Sequence, residues 1–215
     1  REIYDDDQYD VVGKLKAQSL AFSMRQTKEV IAANVYNRAF NTSYLGGDGS
    51  TLIASAGGGG SASHANVAGG TWTNGPTAAV DLSEAALEQA VIDIAAFTDD
   101  RGLKIAVRPT KLIVPMNLFF EAKRILGSDK RSGTADNDPN VLRTEGIINE
   151  VVVNHYLTDT DAWFIKTDAP KGLIHYKRRA FSFETEFDAN TRSFQGYASE
   201  RYSFGHFNPR CIFGS

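Results

Sequence analysis

Cysteine is all but absent: Cys211 is the only one in 215 residues. No intramolecular disulfide framework and no paired-thiolate metal site can form. Between Arg210 and Ile212 it reads as a small buried apolar residue. Long apolar runs are also missing. None approaches the 18 or so residues that span a bilayer, so no transmembrane helix is expected. A basic excess is lacking too. Lys and Arg total 23 against 26 Asp and Glu, a net charge of −3, so no overall positive field invites nucleic acid. The chain opens Arg1-Glu2-Ile3-Tyr4, without Met and without a signal-peptide pattern. It reads as the interior of a longer polypeptide.

Motifs of chemistry are lacking as well. Gly49 is followed by Ser50-Thr51 with no Lys to reach a phosphate, and Gly47-x-Gly49 has neither a third Gly nor a preceding strand. His64, His155, His175 and His206 are isolated from one another, so no metal-ligand spacing exists. Asp136-Asn137-Asp138-Pro139 and Asp159-Thr160-Asp161 resemble turns and lack the Gly and distal Glu of a calcium loop. There is no Gly-x-Ser-x-Gly elbow. Ser61-Ala62-Ser63-His64 sits in a Gly run too loose to hold reacting groups. No catalytic, cofactor-binding or metal-ligating residue is assigned. Asn41-Thr42-Ser43 matches a glycosylation sequon, which carries no weight without a sign of secretion.

What is present is a stretch from about Tyr9 to Asn41 with helical patterning, no Pro and one Gly. At about 1.5 Å per residue it would run roughly 45–50 Å, longer than a small domain is wide. Stepped at 100° per residue, Leu20, Met24, Ile31 and Val35 form one stripe. Val12, Leu15, Phe22, Ala33, Tyr36 and Phe40 form a second, wider one. Two apolar faces mean burial on two sides. Asp5, Asp6, Asp7 and Asp10 load the start, where negative charge suits a helix N-terminus. From Lys14 to Arg38 there are five basic residues against Glu29 alone. Such a body is either solvated or set against an acidic neighbouring subunit.

Residues 46–75 hold ten Gly and read as a long loop, with Leu52-Ile53 and Trp72 as its apolar points. Gly57–Gly60 looks like a flexible linker. A second helix follows, capped by Asp81 or Ser83. Leu82, Ala86, Leu87, Ala90, Val91, Ile94 and Phe97 form its apolar face, and Asp99-Asp100-Arg101-Gly102 is its stop. Ile105–Val107 and Leu112–Val114 read as short strands around Pro109. Asn117 is expected to cap a third helix, Leu118 to Leu126, closed by Gly127. Residues 127–140 form a polar loop. Strands are then expected over 147–153, 162–166 and 174–176. Phe181, Phe183, Thr185 and Phe187 alternate with Ser182, Glu184 and Glu186, the pattern of a half-buried strand. Asp188–Thr191 turns the chain, and Phe194–Phe204 returns as the partner strand. The fold class is α+β. The expected organisation is 1–75 for the long helix and Gly-rich loop, 76–165 for a mixed α/β lobe, and 166–215 for strands. Lys177-Arg178-Arg179 is the densest basic cluster of the C-terminal segment, a candidate for non-specific contact with nucleic acid or a solvated strand edge.

The chain resembles the major capsid proteins of tailed bacteriophages. The resemblance runs through Ser23-Met24-Arg25-Gln26-Thr27-Lys28-Glu29-Val30-Ile31-Ala32-Ala33-Asn34-Val35 and Asn37-Arg38-Ala39-Phe40. It continues through Gly46-Gly47-Asp48-Gly49, Gly70-Thr71-Trp72-Thr73-Asn74 and Asp81–Ala90, then Asp99-Asp100-Arg101-Gly102-Leu103-Lys104 and Lys111–Pro115. Gly133–Asp138, Val153–Leu157 and Glu200–Gly205 complete it. It covers nearly the whole chain in order. It implies the Hong Kong ninety-seven-type capsid fold: a long spine helix and an antiparallel sheet as peripheral domain, with a mixed α/β axial domain at the capsomer centre. By analogy the loop from Gly127 to Asn140 would lie near a five- or sixfold axis. The family's N-terminal arm and extended hairpin lie outside this sequence. Some members crosslink their subunits covalently, and no residue here is assigned that role.

The resemblance implies a virion shell subunit that self-assembles around double-stranded DNA. Its partners would be copies of itself in pentamers and hexamers, scaffold, portal or cement proteins, and packaged DNA contacted without sequence preference. It implies no membrane partner and no cofactor. The expected subunit-interface residues are Leu20, Met24, Ile31 and Val35 on the helix, with Asp129, Lys130 and Arg131 in the polar loop. Two other readings stay open: an encapsulin-like compartment, and a soluble enzyme with the Gly-rich loop as lid.

Overall fold

The computed structural model describes residues 9–131, 138–191 and 193–215. A π-helical turn, Tyr9–Gly13, leads into α1, Lys14–Asn37. At about 1.5 Å per residue α1 is roughly 36 Å long, shorter than the rod the pattern suggested. It ends where Asn37 is pinned from both sides of its amide. Nδ2 donates to Tyr156 O at 3.1 Å, and Oδ1 accepts from Thr158 N at 3.1 Å. The chain then turns through residues 38–40, with Ala39 N donating to Tyr36 O at 2.9 Å.

The Gly-rich segment is not a loose loop. Residues 50–55 are buried without a break, and two short antiparallel strands, β1 (His64–Ala65) and β2 (Thr71–Trp72), follow. Its glycines serve close approach. A Cβ on Gly57 would stand 2.5 Å from Thr77 O, and one on Gly60 would stand 2.7 Å from Thr51 Oγ1. No larger residue fits at either place.

Helix α2, Glu84–Ala95, is capped by Ser83, whose hydroxyl accepts from Ala86 N at 3.2 Å. Residues 105–107 form no strand. β3 starts at Pro109 and runs to Val114. Proline tolerates the first strand position because its missing N–H lies outside the regular ladder; pairing with the next strand shifts register between Pro109 and Lys111. Asn117 caps nothing. It lies in a 3₁₀ turn, Met116–Leu118, and α3, Phe119–Gly127, begins at Phe119 with no side-chain cap. The expected polar loop closes on a further short helix, α4 (Val141–Thr144), whose N-cap Asn140 accepts from Arg143 N at 3.4 Å.

Strands β4 (Glu150–Val153), β5 (Phe164–Thr167) and β8 (Ile212–Gly214) join β3 in one sheet, ordered β4-β3-β5-β8. β3 and β4 are parallel, and the other pairs are antiparallel. Leu112 opposes Ile165, which opposes Phe213. These three side chains point into one core with Leu87, Ile94, Leu126, Leu142 and Trp163. The alternate residues Ile113, Phe164 and Ile212 enter a second core with Ala39, Leu52, Ile53 and Cys211. Both faces are covered, so these strands read as continuous apolar runs. β6 (Leu173–Asp188) and β7 (Ser193–His206) form a separate two-stranded ribbon.

The chain divides into two compact units. One holds α1 through Ala32 together with His175–Gly205. The other holds Ala33–Ile174 and His206–Ser215.

Candidate subunit interface

In the first unit, helix and ribbon meet through Lys28. Its ammonium pairs with Glu200, whose side chain is nearly buried, and lies 5.0 Å from the Tyr202 ring centroid. On α1 the half-buried positions before Ala33 include Ala17, Met24 and Lys28. They fall within about 40° of one another at 100° per residue. This is the side the chain covers itself. Of the expected interface residues, Met24 is half-buried on that side and Val35 packs on the second core. Leu20 and Ile31 flank it and are exposed.

The open side is the other stripe. Leu15 is 60% exposed and Phe22 69%, and Val11 is bare as well. All three lie within about 40° of arc. The same stripe is buried further along, where Ala33 and Tyr36 enter the second unit. Burial there pushes the Tyr36 hydroxyl up to about 12.

The ribbon differs from the half-buried strand that its alternation suggests. Phe181, Phe183 and Phe187 are 47%, 45% and 60% exposed, and Glu184 and Glu186 between them are exposed too. Packing is concentrated near the ribbon base, where His175 stacks on Phe204 at 4.5 Å between ring centroids. Further out, Ser182 and Ser199 hydroxyls bond at 2.9 Å, and Arg179 donates to Ser199 Oγ at 2.6 Å. At the tip, the hydroxyl of Thr191 and the amide of Asn190 hold Asp188 below the usual carboxylate range. Lys177, Arg178 and Arg179 are exposed near the base. Periodicity shows that the phenylalanines share a face; it carries no signal of whether the same chain covers that face.

The polar-loop candidates sit in the second unit and are tied into it. Arg131 Nε lies 3.2 Å from Glu84 Oε2, and Asp129 Oδ1 lies 3.7 Å from Arg143 Nε. Lys130 bridges to Pro139. The loop positions 132–137 lie outside the described residues.

Elsewhere the second unit holds a buried polar cluster that sequence reading missed. Asn74 Oδ1 accepts from Ala54 N at 2.8 Å, while Nδ2 donates to the carbonyls of Leu52, Pro209 and Ile212 at 2.8–3.1 Å. Those three carbonyls fix the orientation of the amide, so Oδ1 faces His64 Nε2 at 3.1 Å. His64 Nδ1 lies 2.6 Å from Asp48 Oδ2, and its ring stacks on Trp72 at 4.5 Å. Arg210 lies over Trp72 at 4.5 Å and pairs with Asp100 at 3.0 Å. Every polar group in the cluster has a partner, and the arrangement is a structural clamp. A cleft of about 290 Å³ bears Asp81, Asp159 and Asp161. The bond between Asp159 and Asp161 lowers the first and raises the second. Among the described residues no group of side chains is arranged to hold a metal ion, and no helix is long and apolar enough to cross a membrane.

A family model described as phage capsid protein matches residues 1–214. No protein of curated function matches the sequence. Among solved structures, the crystal structure of a phage-related protein from Bordetella bronchiseptica RB50 is similar, with 13% identity and a TM-score of 0.49. The similarity covers 94% of this chain and 64% of that one, so the chain spans just under two thirds of that protein's length.

Proposed function

The chain belongs to the phage capsid protein family, and from this premise we propose that it is a major capsid protein whose copies assemble into the icosahedral shell around a double-stranded DNA genome. The observation that carries the reading is the uncovered apolar surface of the first unit: Leu15 and Phe22 on α1, and Phe181, Phe183 and Phe187 on the ribbon. A lone chain in water would leave these large side chains wet. Their burial between copies supplies about 1.5–3 kcal/mol per fully buried side chain. Heterologous contacts of this kind close into rings. Many weak contacts per subunit give a stable shell.

The role is structural rather than catalytic. Burial of Thr51–Ser55 within the Gly-rich segment supports a packed structural element over a mobile lid. In the Hong Kong ninety-seven-type arrangement, α1 and the strands of 166–215 would be peripheral and 76–165 axial. Asp129, Lys130 and Arg131 would then face the capsomer axis, and Lys177-Arg178-Arg179 would contact packaged DNA without sequence preference. Scaffold, portal and cement proteins would be the heterologous partners.

Electron microscopy of the full-length protein tests the reading. Closed particles of uniform size are expected; a monodisperse monomer at every concentration would refute it. Double-stranded DNA inside particles from infected cells is expected. Packaged protein cargo in its place would favour the encapsulin-like compartment.

A further inference from the structure

The clamp around Asn74 also holds a reactive pair of residues. Asn74-Gly75 is the only Asn-Gly sequence in the chain. An asparagine amide is attacked most readily by the backbone nitrogen of a following glycine, because no Cβ shields that nitrogen or restricts the turn that brings it to Cγ. Neither residue is free to be another. Asn74, fully buried, supplies the donors that face the carbonyls of Leu52, Pro209 and Ile212 and the oxygen that faces Ala54 N. At position 75 a Cβ would stand 2.9 Å from that of Ser55 and 3.0 Å from Gly214 O, so no side chain fits without displacing them. Packing thus sets side by side two residue types whose adjacency is chemically labile. The backbone of Asn74 is tied as well. Its N–H donates to Ala54 O at 3.2 Å, and its carbonyl accepts from Gly214 N at 3.1 Å.

We propose that Asn74-Gly75 is a deamidation site that the fold keeps closed, and that it reacts irreversibly once the surrounding segment opens. The inference rests on the clamp alone and is independent of the shell reading. In the reaction the Gly75 nitrogen attacks Asn74 Cγ. An N–Cγ bond forms, the Cγ–Nδ2 bond breaks, and ammonia leaves carrying the proton from the Gly75 nitrogen. Water then opens the five-membered imide at either of its two carbonyls, leaving aspartate or isoaspartate at position 74. In the folded chain Cγ cannot swing toward the Gly75 nitrogen without breaking the bonds at both Oδ1 and Nδ2, so the reaction waits for local opening. Afterwards the clamp cannot be rebuilt. Ala54 N and His64 face Oδ1 and can meet a carboxylate. The three carbonyls face Nδ2, and a carboxylate has no proton to offer them. Isoaspartate also adds a methylene to the main chain at a residue whose N–H and C=O pair with Ala54 and Gly214. The altered chain is locked out of the native state.

The test incubates full-length protein in heavy-oxygen water at mildly alkaline pH, with and without urea, and maps its peptides by mass spectrometry. In urea Asn74 is expected to convert faster than every other asparagine and to take up the heavy oxygen. Without urea its conversion is expected to be at least about a hundredfold slower, because only the rare open state reacts. Equal rates in the two conditions, or another asparagine converting first in urea, would overturn the proposal. Gly75→Ala, followed in urea where folding plays no part, is expected to slow conversion at Asn74 roughly tenfold. An unchanged rate would refute the role given to Gly75. Refolding supplies the second readout. Measured against chains unfolded only briefly, the fraction of long-incubated chains that refolds is expected to match the fraction still carrying the amide at position 74. Modified chains that refold with the urea midpoint of unmodified protein would show that the clamp tolerates the acid, and the lock-out would fall.

Discussion

Asn74 ties together segments of the second unit that lie far apart in sequence. One amide satisfies Ala54 N and three carbonyls drawn from residues 52, 209 and 212. Asn74→Ala would leave Ala54 N without its acceptor and take a donor from the carbonyls of Leu52 and Ile212, at about 1–3 kcal/mol for each group left unpaired where water cannot enter, while Pro209 O keeps the bond from Ile212 N. The expected loss is about 3–5 kcal/mol in urea denaturation, among the largest for any single change. His206 makes a different prediction. Burial lowers its affinity for a proton; Asp48 opposes that shift and His64 reinforces it. The folded chain thus prefers the neutral ring. That contribution to stability is complete above the unfolded value of about 6.5 and is lost as pH falls from there toward the lower folded value. His206→Gln is expected to flatten the fall in denaturation midpoint over that window; an unchanged slope would show that another group titrates. Burial also raises Cys211, to about 11, so the thiol stays protonated and inert at neutral pH. That residue was legible from its apolar setting alone. Asn74 was not, because its partners lie up to 138 positions away.

At the level of elements, legibility followed the range of the interactions. α2 could be read closely: its cap, narrowed to Asp81 or Ser83 and found at Ser83, its apolar face and its stop all lie within about twenty residues, where propensity and periodicity act. The Gly-rich segment could not. Its glycines are required by contacts such as Gly57 with Thr77 and Gly60 with Thr51, which a local count of glycines reports as flexibility. α1 is the intermediate case. Both apolar stripes were visible, but which stripe the chain covers depends on Glu200 and Tyr202 in a ribbon about 170 residues later. The consequence is a contrast between two substitutions. Val35 packs on the second core, so Val35→Asp is expected to cost about 2–4 kcal/mol of stability through a buried charge. Phe22→Ser, on the bare stripe, is expected to leave stability within about 0.5 kcal/mol while particle yield collapses. Thermal melts and micrographs of the two variants check both statements. A melting loss for Phe22→Ser equal to that for Val35→Asp would mean that the open stripe is packed in the lone chain.

For the whole molecule, the division of labour is between a unit that satisfies itself and one that does not. The second unit buries a sheet on both faces and clamps its irregular segments with Asn74 and Arg210. The first unit has one helix, one ribbon and exposed phenylalanines. A two-stranded ribbon is marginal alone in water, so its order and its association should be coupled. Hydrogen exchange is therefore expected to be fast across the outer half of β6 in unassembled chains and slow in particles, with little change in β3 and β5.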